Sequence, residues 1–149
     1  MNLSPQRWYK IGEVARSLNM AVETVRMYER EGLLIPEKTD SGHRIFNDQD
    51  LLWIECIRRL IKEKGLNIAG IRSLLALLPC WQLRPCAAQD FEDCPLAFGG
   101  VTPCWMMKAE LPDVCQFANC RHCNVYQSAA QCENLKKLLF KDFLRKQKG

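Results

Sequence analysis

The cysteines are the residues of this chain whose type and spacing best suit metal or redox chemistry. Eight of the nine lie between Cys80 and Cys132. Thiolates are soft ligands that favour zinc, copper(I) and iron–sulfur clusters. Where thiols are kept reduced, such an array is more typical of a metal site or a redox sensor than of disulfide crosslinks. The second half of the chain is therefore predicted to carry a metal site or a thiol switch.

The spacing of the cysteines favours an iron–sulfur cluster. Cys115, Cys120 and Cys123 follow the C-x4-C-x2-C pattern of plant-type ferredoxins, which requires a fourth thiolate from elsewhere. Cys94 precedes Pro95, and a proline in that position is also common around cluster ligands. The tandem CxxC pairs of a structural zinc ribbon are absent from the sequence. Zinc, another soft metal or a thiol–disulfide switch remain the alternatives.

An internal repeat organises this half of the chain, since Pro79-Cys80-Trp81 recurs as Pro103-Cys104-Trp105. The arrangement over residues 79–126 resembles the two-Cys-Trp motif of bacterial signalling proteins. That resemblance implies a cysteine-ligated site without naming the metal. Four of the seven matched cysteines are expected to hold one cluster, of the 4Fe–4S type. The candidates are Cys80, Cys86, Cys94, Cys104, Cys115, Cys120 and Cys123.

Residues 1–78 show helical spacing that predicts a small helix-turn-helix domain. Ile11, Val14, Ala15 and Leu18 follow an i, i+3, i+4, i+7 pattern. A short turn at residues 19–21 separates this helix from a second one that ends near Gly32, a natural helix stop. Two short helices joined by so tight a turn form the unit whose second helix enters the major groove of DNA.

The chain after Gly32 predicts a hairpin and two more helices. Turn-forming residues between 36 and 42, with strand-like segments on both sides, indicate a wing. Asn47 or Asp48 can cap a third helix that ends at Gly65, and Cys56 is expected in its core face. Asn67 can cap a fourth, which Pro79 terminates. The predicted fold is mostly α: a winged helix-turn-helix head with a short β-hairpin wing, an irregular cysteine-rich module and a C-terminal helix.

The sequence motifs of residues 9–78 resemble those of MerR-type transcription regulators. The matching segments are residues 9–15 (YKIGEVA), 23–29 (ETVRMYE), 32–34 (GLL), 42–46 (GHRIF) and the run from Gly65 to Leu78. The resemblance implies a homodimer on double-stranded promoter DNA. It also implies indirect action on RNA polymerase, because such regulators distort the promoter so that its two elements realign.

The resemblance also assigns DNA contacts to individual residues: Thr24, Arg26 and Tyr28 on the second helix, and His43 and Arg44 in the wing. Arginine suits phosphate contacts because its guanidinium fork pairs with anionic oxygens. A purely structural alternative places Tyr28 in the core and pairs Glu29 with Arg26 on the helix surface. The chain departs from the family pattern at Ala21, where a capping Ser or Thr is usual, and at His43 and Phe46, where Tyr is common. These departures bear on which DNA sequence is bound.

Three segments follow from these patterns. Residues 1–78 are predicted to be the DNA-binding domain and residues 79–126 the sensor module. Residues 127–149 are predicted to be a dimerisation helix, within a helical pattern that runs from Val125 to Lys146.

The bulk composition sets limits on the function. An apolar content of 48% indicates a globular chain. The net charge of +4 is compatible with binding to nucleic acid. The apolar runs are far shorter than the roughly 20 residues that cross a bilayer, so no membrane association and a cytoplasmic location are expected. No nucleotide fingerprint or nucleophile–base pair suggests an enzyme. We expect a transcription regulator that senses redox state or reactive oxygen; a soft-metal-responsive regulator, a thiol or zinc switch, and an electron relay are alternatives.

Overall fold

The computed structural model describes residues 7–77, 94, 102–111, 115 and 119–130. In these residues the fold is mostly helical with a small antiparallel sheet, which confirms the predicted fold class. The elements are β1 (Tyr9–Lys10), α1 (Ile11–Ser17), α2 (Val22–Arg30), β2 (Glu37–Lys38), β3 (Arg44–Phe46), α3 (Asp48–Lys62), α4 (Ile68–Ala76) and α5 (Asn124–Ala129). The chain divides into two compact units, Met1–Gly65 and Leu66–Gly149. The domain boundaries drawn from the sequence stay predictions.

Helices α1 and α2 form the predicted helix-turn-helix. The turn between them is closed by backbone hydrogen bonds, including that from the Met20 N–H to the Ala15 carbonyl at 2.9 Å. Asn19 takes a φ of 53° there, a left-handed conformation that Asn tolerates better than most residues. Ala21 caps α2 without a side-chain hydrogen bond, as the sequence predicts. The α2 N-terminus therefore depends on its packing rather than on a capping side chain.

A fully buried apolar core holds the first unit together. Its central side chains, each at most 1% exposed, are Val14, Val25, Leu33, Phe46, Trp53, Ile54 and Ile57. The Trp53 indole N–H donates to the Leu33 carbonyl at 2.8 Å, so this large side chain is buried with its polar atom satisfied. Arg58 on α3 donates to the Leu18 carbonyl at the end of α1 and pairs with Glu55. These contacts fix α3 beneath the helix-turn-helix.

The wing is a β2–β3 hairpin in a three-stranded sheet of order β1-β3-β2. Lys38 pairs with Arg44 and Glu37 with Ile45, and Gly42 supplies the turn with a φ of 86°. Strand β1 pairs with the other edge of β3, with Tyr9 opposite Phe46. The hairpin confirms the predicted wing, whereas β1 was missed because two residues carry no readable alternation.

The caps of α3 and α4 agree with the sequence. Asn47, not Asp48, caps α3: its side chain accepts from the Asp50 N–H, and the Asp50 carboxylate accepts from the Asn47 N–H, both at 2.9 Å. Asn67 caps α4 by accepting from the Gly70 N–H at 2.7 Å. Helix α4 is described as far as Ala76, and the predicted terminator Pro79 lies outside the described residues.

Within residues 102–111 and 119–123 the described part of the second unit consists of short turns. Three 3-10 turns cover Cys104–Met106, Lys108–Glu110 and Cys120–His122, and α5 follows the last of them. Trp105 packs edge-on against Tyr126 with ring centroids 5.3 Å apart. Helix α5 begins one residue before the predicted C-terminal helix but ends at Ala129, with Ala130 as its C-cap, so the prediction of one uninterrupted helix from Val125 to Lys146 is wrong at Ala130. The remainder of that prediction, from residue 131 onward, falls outside the described part of the chain.

Candidate functional site

A basic groove opens between α2 and the wing of the first unit. Arg26 reaches it from α2, and His43 and Arg44 reach it from the wing. The groove has a volume of about 440 Å³. The structure therefore brings together three of the five residues that the sequence assigned to DNA. Thr24 is half-buried on α2 and is not among the lining residues.

The structure adds Lys10, Thr39 and Ser41 to this groove. Lys10 reaches the groove because strand β1 pairs it with Ile45 of β3. The sequence did not predict β1 and therefore did not place Lys10 in the groove. At the tip of the wing the Thr39 hydroxyl accepts from the His43 N–H at 3.1 Å and lies 3.1 Å from the Ser41 hydroxyl. These hydrogen bonds fix the tip beside the groove.

Both arginines of the groove form ion pairs, but with different geometry. The Arg44 Nε lies 2.8 and 2.6 Å from the two carboxylate oxygens of Glu29, and this pair joins the wing to α2. The Arg26 Nη1 lies 2.6 Å from Glu23, one turn away on the same helix. The pairing of Glu29 with Arg26, raised as the structural alternative from the sequence, is wrong because the wing brings Arg44 to Glu29 instead.

Tyr28 lies on the opposite side of α2 from solvent. It is 3% exposed, and this burial raises the pKa of its hydroxyl above the ordinary value of 10.0. The nearby Arg58 lowers that pKa and Glu55 raises it, each by a smaller effect. The packing supports the core role for Tyr28, and its contact with DNA stays a prediction.

Changing Tyr28 to Phe should remove a pH dependence of stability. Because the pKa of Tyr28 is raised in the folded chain, the unfolded chain ionises first as the pH rises above 10.0. The ionisation of Tyr28 therefore leaves the free energy of unfolding unchanged below that pH and lowers it above that pH. We expect the wild type to lose more stability than the Tyr28→Phe variant between pH 9 and 11, measured by urea unfolding (roughly one pH unit on each side of the ordinary tyrosine value). Equal losses in the two proteins would contradict this account.

The same variant tests the DNA contact of Tyr28. A core role predicts that Tyr28→Phe binds duplex DNA as the wild type does at neutral pH. A loss of about tenfold would instead mark a lost hydrogen bond from the hydroxyl to a phosphate.

Comparison with known proteins identifies this half of the chain. The profile of the MerR HTH family regulatory proteins matches residues 9–78. Residues 9–78 form a MerR-type helix-turn-helix domain. The groove residues Lys10, Arg26 and Arg44 all lie within this MerR domain.

Three relatives show how far the similarity extends. The HTH-type transcriptional regulator MlrA of Escherichia coli K12 is 42% identical over 69 residues, which are 46% of this chain and 28% of the relative. The mercuric resistance operon regulatory protein of Bacillus cereus is 35% identical over 71 residues, 47% and 53% of the two chains. Heavy metal-dependent transcription regulator 2 of Rhizobium meliloti is 32% identical over 83 residues, 55% and 54%. The chain thus matches about half or less of each relative, and no solved structure matches it.

The predicted metal ligands are the cysteines beyond the MerR domain. Five of the predicted ligands are half-buried: Cys94, Cys104, Cys115, Cys120 and Cys123. The predicted ligands Cys80 and Cys86 lie outside the described residues. Among the residues whose placement is described, no three Cys, His, Asp or Glu side chains form a group that could hold a metal ion. The donor chemistry suits a soft metal or a cluster, whereas the described thiols are not yet gathered around one point.

Cys120 and Cys123 lie at the two ends of one hydrogen-bonded turn. The Cys123 N–H donates to the Cys120 carbonyl at 3.1 Å, and Cys123 then caps α5. Arg121 between them is only 5% exposed, and its carbonyl accepts from the Gln127 side chain. His122 is exposed. The backbone of this CxxC segment is therefore held by hydrogen bonds at both the turn and the start of α5.

Two further observations bear on the predictions. Cys56 is 1% exposed on α3, in the core as expected, but it is disulfide-bonded rather than a free core thiol. None of the helices in the described residues is long and apolar enough to span a membrane.

Proposed function

We propose that the chain is a transcription regulator that binds double-stranded promoter DNA through the MerR domain. One observation carries this proposal: Arg26 and Arg44, from two different elements, open onto one groove beside α2. An α-helix fits the major groove of B-DNA, and a flanking wing places its arginines along the adjacent phosphates. The side chains of Arg26 and Arg44 are 54% and 47% exposed, so both are accessible to a ligand.

The relatives support this function, because the names of all three describe transcription or operon regulators. We further propose that the chain acts as a homodimer and distorts its promoter for RNA polymerase. Such distortion costs on the order of 1–6 kcal/mol, which the phosphate contacts of two MerR domains would offset.

Duplex binding is the test of this proposal. The full chain is titrated into a fluorescent pool of random-sequence duplexes, and anisotropy is recorded between about 50 and 200 mM salt, the range over which phosphate contacts are lost. We expect binding that weakens linearly with the logarithm of the salt concentration. A chain that leaves the anisotropy unchanged at every salt concentration is not a DNA-binding protein.

We propose in addition that the cysteine module senses redox state or reactive oxygen through an iron–sulfur cluster, of the 4Fe–4S type. Five half-buried cysteines and the C-x4-C-x2-C spacing support it. When bound, a cluster supplies a one-electron redox centre that oxidants can alter. The residues of the chain would supply four thiolates from the seven candidates, and the Cys120–Cys123 turn would present two of them together. Because thiolates repel one another without a metal, occupancy would couple to the folding of the module.

A soft-metal-responsive regulator is the second candidate. Two of the relatives are named for mercury resistance and heavy-metal dependence, which favours a metal ion as the signal. Anaerobic purification followed by iron, sulfide and zinc analysis separates the candidates. Brown protein with about four iron and four sulfide ions per chain supports the cluster. Colourless protein containing zinc supports the metal ion or a zinc switch.

A further inference from the structure

We propose that Glu29 is a positioning residue for DNA binding, which holds Arg44 in the orientation that contacts a phosphate. This inference rests on the proposed DNA-binding function. Glu29 is acidic and lies at the surface that is proposed to bind polyanionic DNA. In this role it nevertheless strengthens DNA binding.

The geometry of the pair leaves most of the Arg44 guanidinium available. Both hydrogen bonds to Glu29 come from Nε, at 2.8 and 2.6 Å. A guanidinium carries five N–H groups, and four of them belong to the terminal nitrogens. No residue in the described part of the chain bonds those terminal nitrogens. Glu29 thus fixes the plane of the guanidinium at its inner edge while the outer fork stays free for a phosphate.

The neighbours of Arg44 explain why it needs such a support. Lys38 lies directly opposite Arg44 in the β2–β3 ladder, and like charges at that position repel each other. Arginine also loses considerable side-chain entropy when it is fixed by a ligand. The Glu29 carboxylate, only 23% exposed, offsets the repulsion and fixes the side chain before DNA arrives.

The second ion pair of the groove provides an internal comparison. Glu23 and Arg26 stand three residues apart on α2, and Glu23 is 74% exposed. Exposed pairs within a helix contribute little and do not join separate elements. Glu23 therefore has the charge of Glu29 without its position between α2 and the wing.

The two roles of a glutamate at this surface predict opposite effects of its removal. If Glu29 acts only as a negative charge near phosphates, neutralising it strengthens DNA binding. If it positions Arg44, neutralising it weakens binding, because the guanidinium must then be ordered by the DNA itself. The direction of the change therefore decides between the two.

The experiment compares Glu29→Gln with the matched control Glu23→Gln in the full chain, using the random-sequence duplex pool. We expect Glu29→Gln to bind about 3- to 10-fold more weakly, with a salt dependence shallower by up to about one counterion. Glu23→Gln is expected to bind as well as the wild type or better. Equal or tighter binding by Glu29→Gln overturns the proposal.

A double-mutant cycle assigns the effect to Arg44. In an Arg44→Ala background, Glu29→Gln should cause no further loss of affinity, because the side chain it positions is gone. A loss as large as in the wild-type background would show that Glu29 acts through something else, and would overturn the proposal.

A measurement without DNA keeps this inference separate from the proposed function. The Arg44 Nε–H signal in NMR should exchange with water more slowly in the wild type than in Glu29→Gln. If the wild-type chain binds no duplex at all, the proposed function and the positioning role both fail. If it binds but the two proteins exchange Nε–H equally fast, the positioning role alone fails.

Discussion

Replacing both Arg26 and Arg44 by alanine is expected to weaken binding to duplex DNA by about 100-fold or more. A hydrogen bond to a charged group contributes roughly 1.5–3 kcal/mol, so two lost contacts cost about 3 kcal/mol or more. Every 1.4 kcal/mol corresponds to about a tenfold change in affinity. The salt dependence should also become shallower by about two counterions, because two phosphates are no longer neutralised. Anisotropy with the random-sequence duplex pool measures both quantities.

A pair of lysines outside the groove supplies the matched control. Lys62 and Lys64 lie at and beyond the end of α3, are exposed and do not line the groove. Their double replacement by alanine removes the same two positive charges. If binding depends on the groove, this control loses far less affinity than the arginine variant. Equal losses would mean that net charge alone attracts the DNA, and the groove would lose its assigned role. Thermal melting of both variants checks that they remain folded.

Changing Cys120 and Cys123 together to serine should remove nearly all bound iron and acid-labile sulfide from anaerobically purified protein. The two cysteines are half-buried and lie at the ends of one turn, which makes them the best-positioned pair among the described candidates. A hydroxyl is a poor substitute for a thiolate toward iron–sulfur clusters, since these clusters are held by soft sulfur ligands. Iron and sulfide per chain, with the visible absorption spectrum, are the measurements.

The control for the cysteine variant is Met106→Ser, which removes an exposed sulfur of the same module without removing a thiol. It should keep the iron content of the wild type. Full iron content in the Cys120→Ser, Cys123→Ser protein would exclude these two residues as ligands. The ligands of the cluster would then have to come from the other five candidate cysteines.

The helical framework was predictable because its signals are local. Asn47 and Asn67 cap their helices through their own side chains. Gly65 follows the end of α3 and has a φ of 69°, a conformation that favours glycine. The apolar spacing of α1 and α3 corresponds to side chains such as Val14 and Ile54 that are fully buried. Spacing, caps and stops therefore identified these elements before any tertiary contact was known.

The groove was only partly predictable because its contacts join distant parts of the chain. Glu29 and Arg44 are 15 residues apart, and nothing local distinguishes this pairing from that of Glu29 with Arg26. Lys10 depends on a two-residue strand, which is too short to show alternation. The packing of Tyr28 was left open by the sequence, since an aromatic hydroxyl serves equally well in a core or at a phosphate.

The cysteine module shows a different limit. Spacing indicates which chemistry thiolates prefer, but it does not fix their distances, because the turns between them set those. The structure places Arg121 in the interior beside Cys120 and packs Trp105 edge-on against Tyr126, and neither arrangement has a sequence signature. Which thiols meet remains a prediction about the ligand-bound chain.

The proposed function requires that a thiolate-bound cofactor controls how the MerR domain distorts DNA. Its most direct test is the end-to-end fluorescence energy transfer of a doubly labelled duplex, selected for binding to the full chain from a random pool. The duplex is measured with anaerobic, cofactor-containing protein and again after the cofactor has been removed from the same preparation. We predict that both forms bind but that their transfer efficiencies differ, because the cofactor changes the bend of the DNA. Identical efficiencies with fully loaded and fully stripped protein would contradict the account.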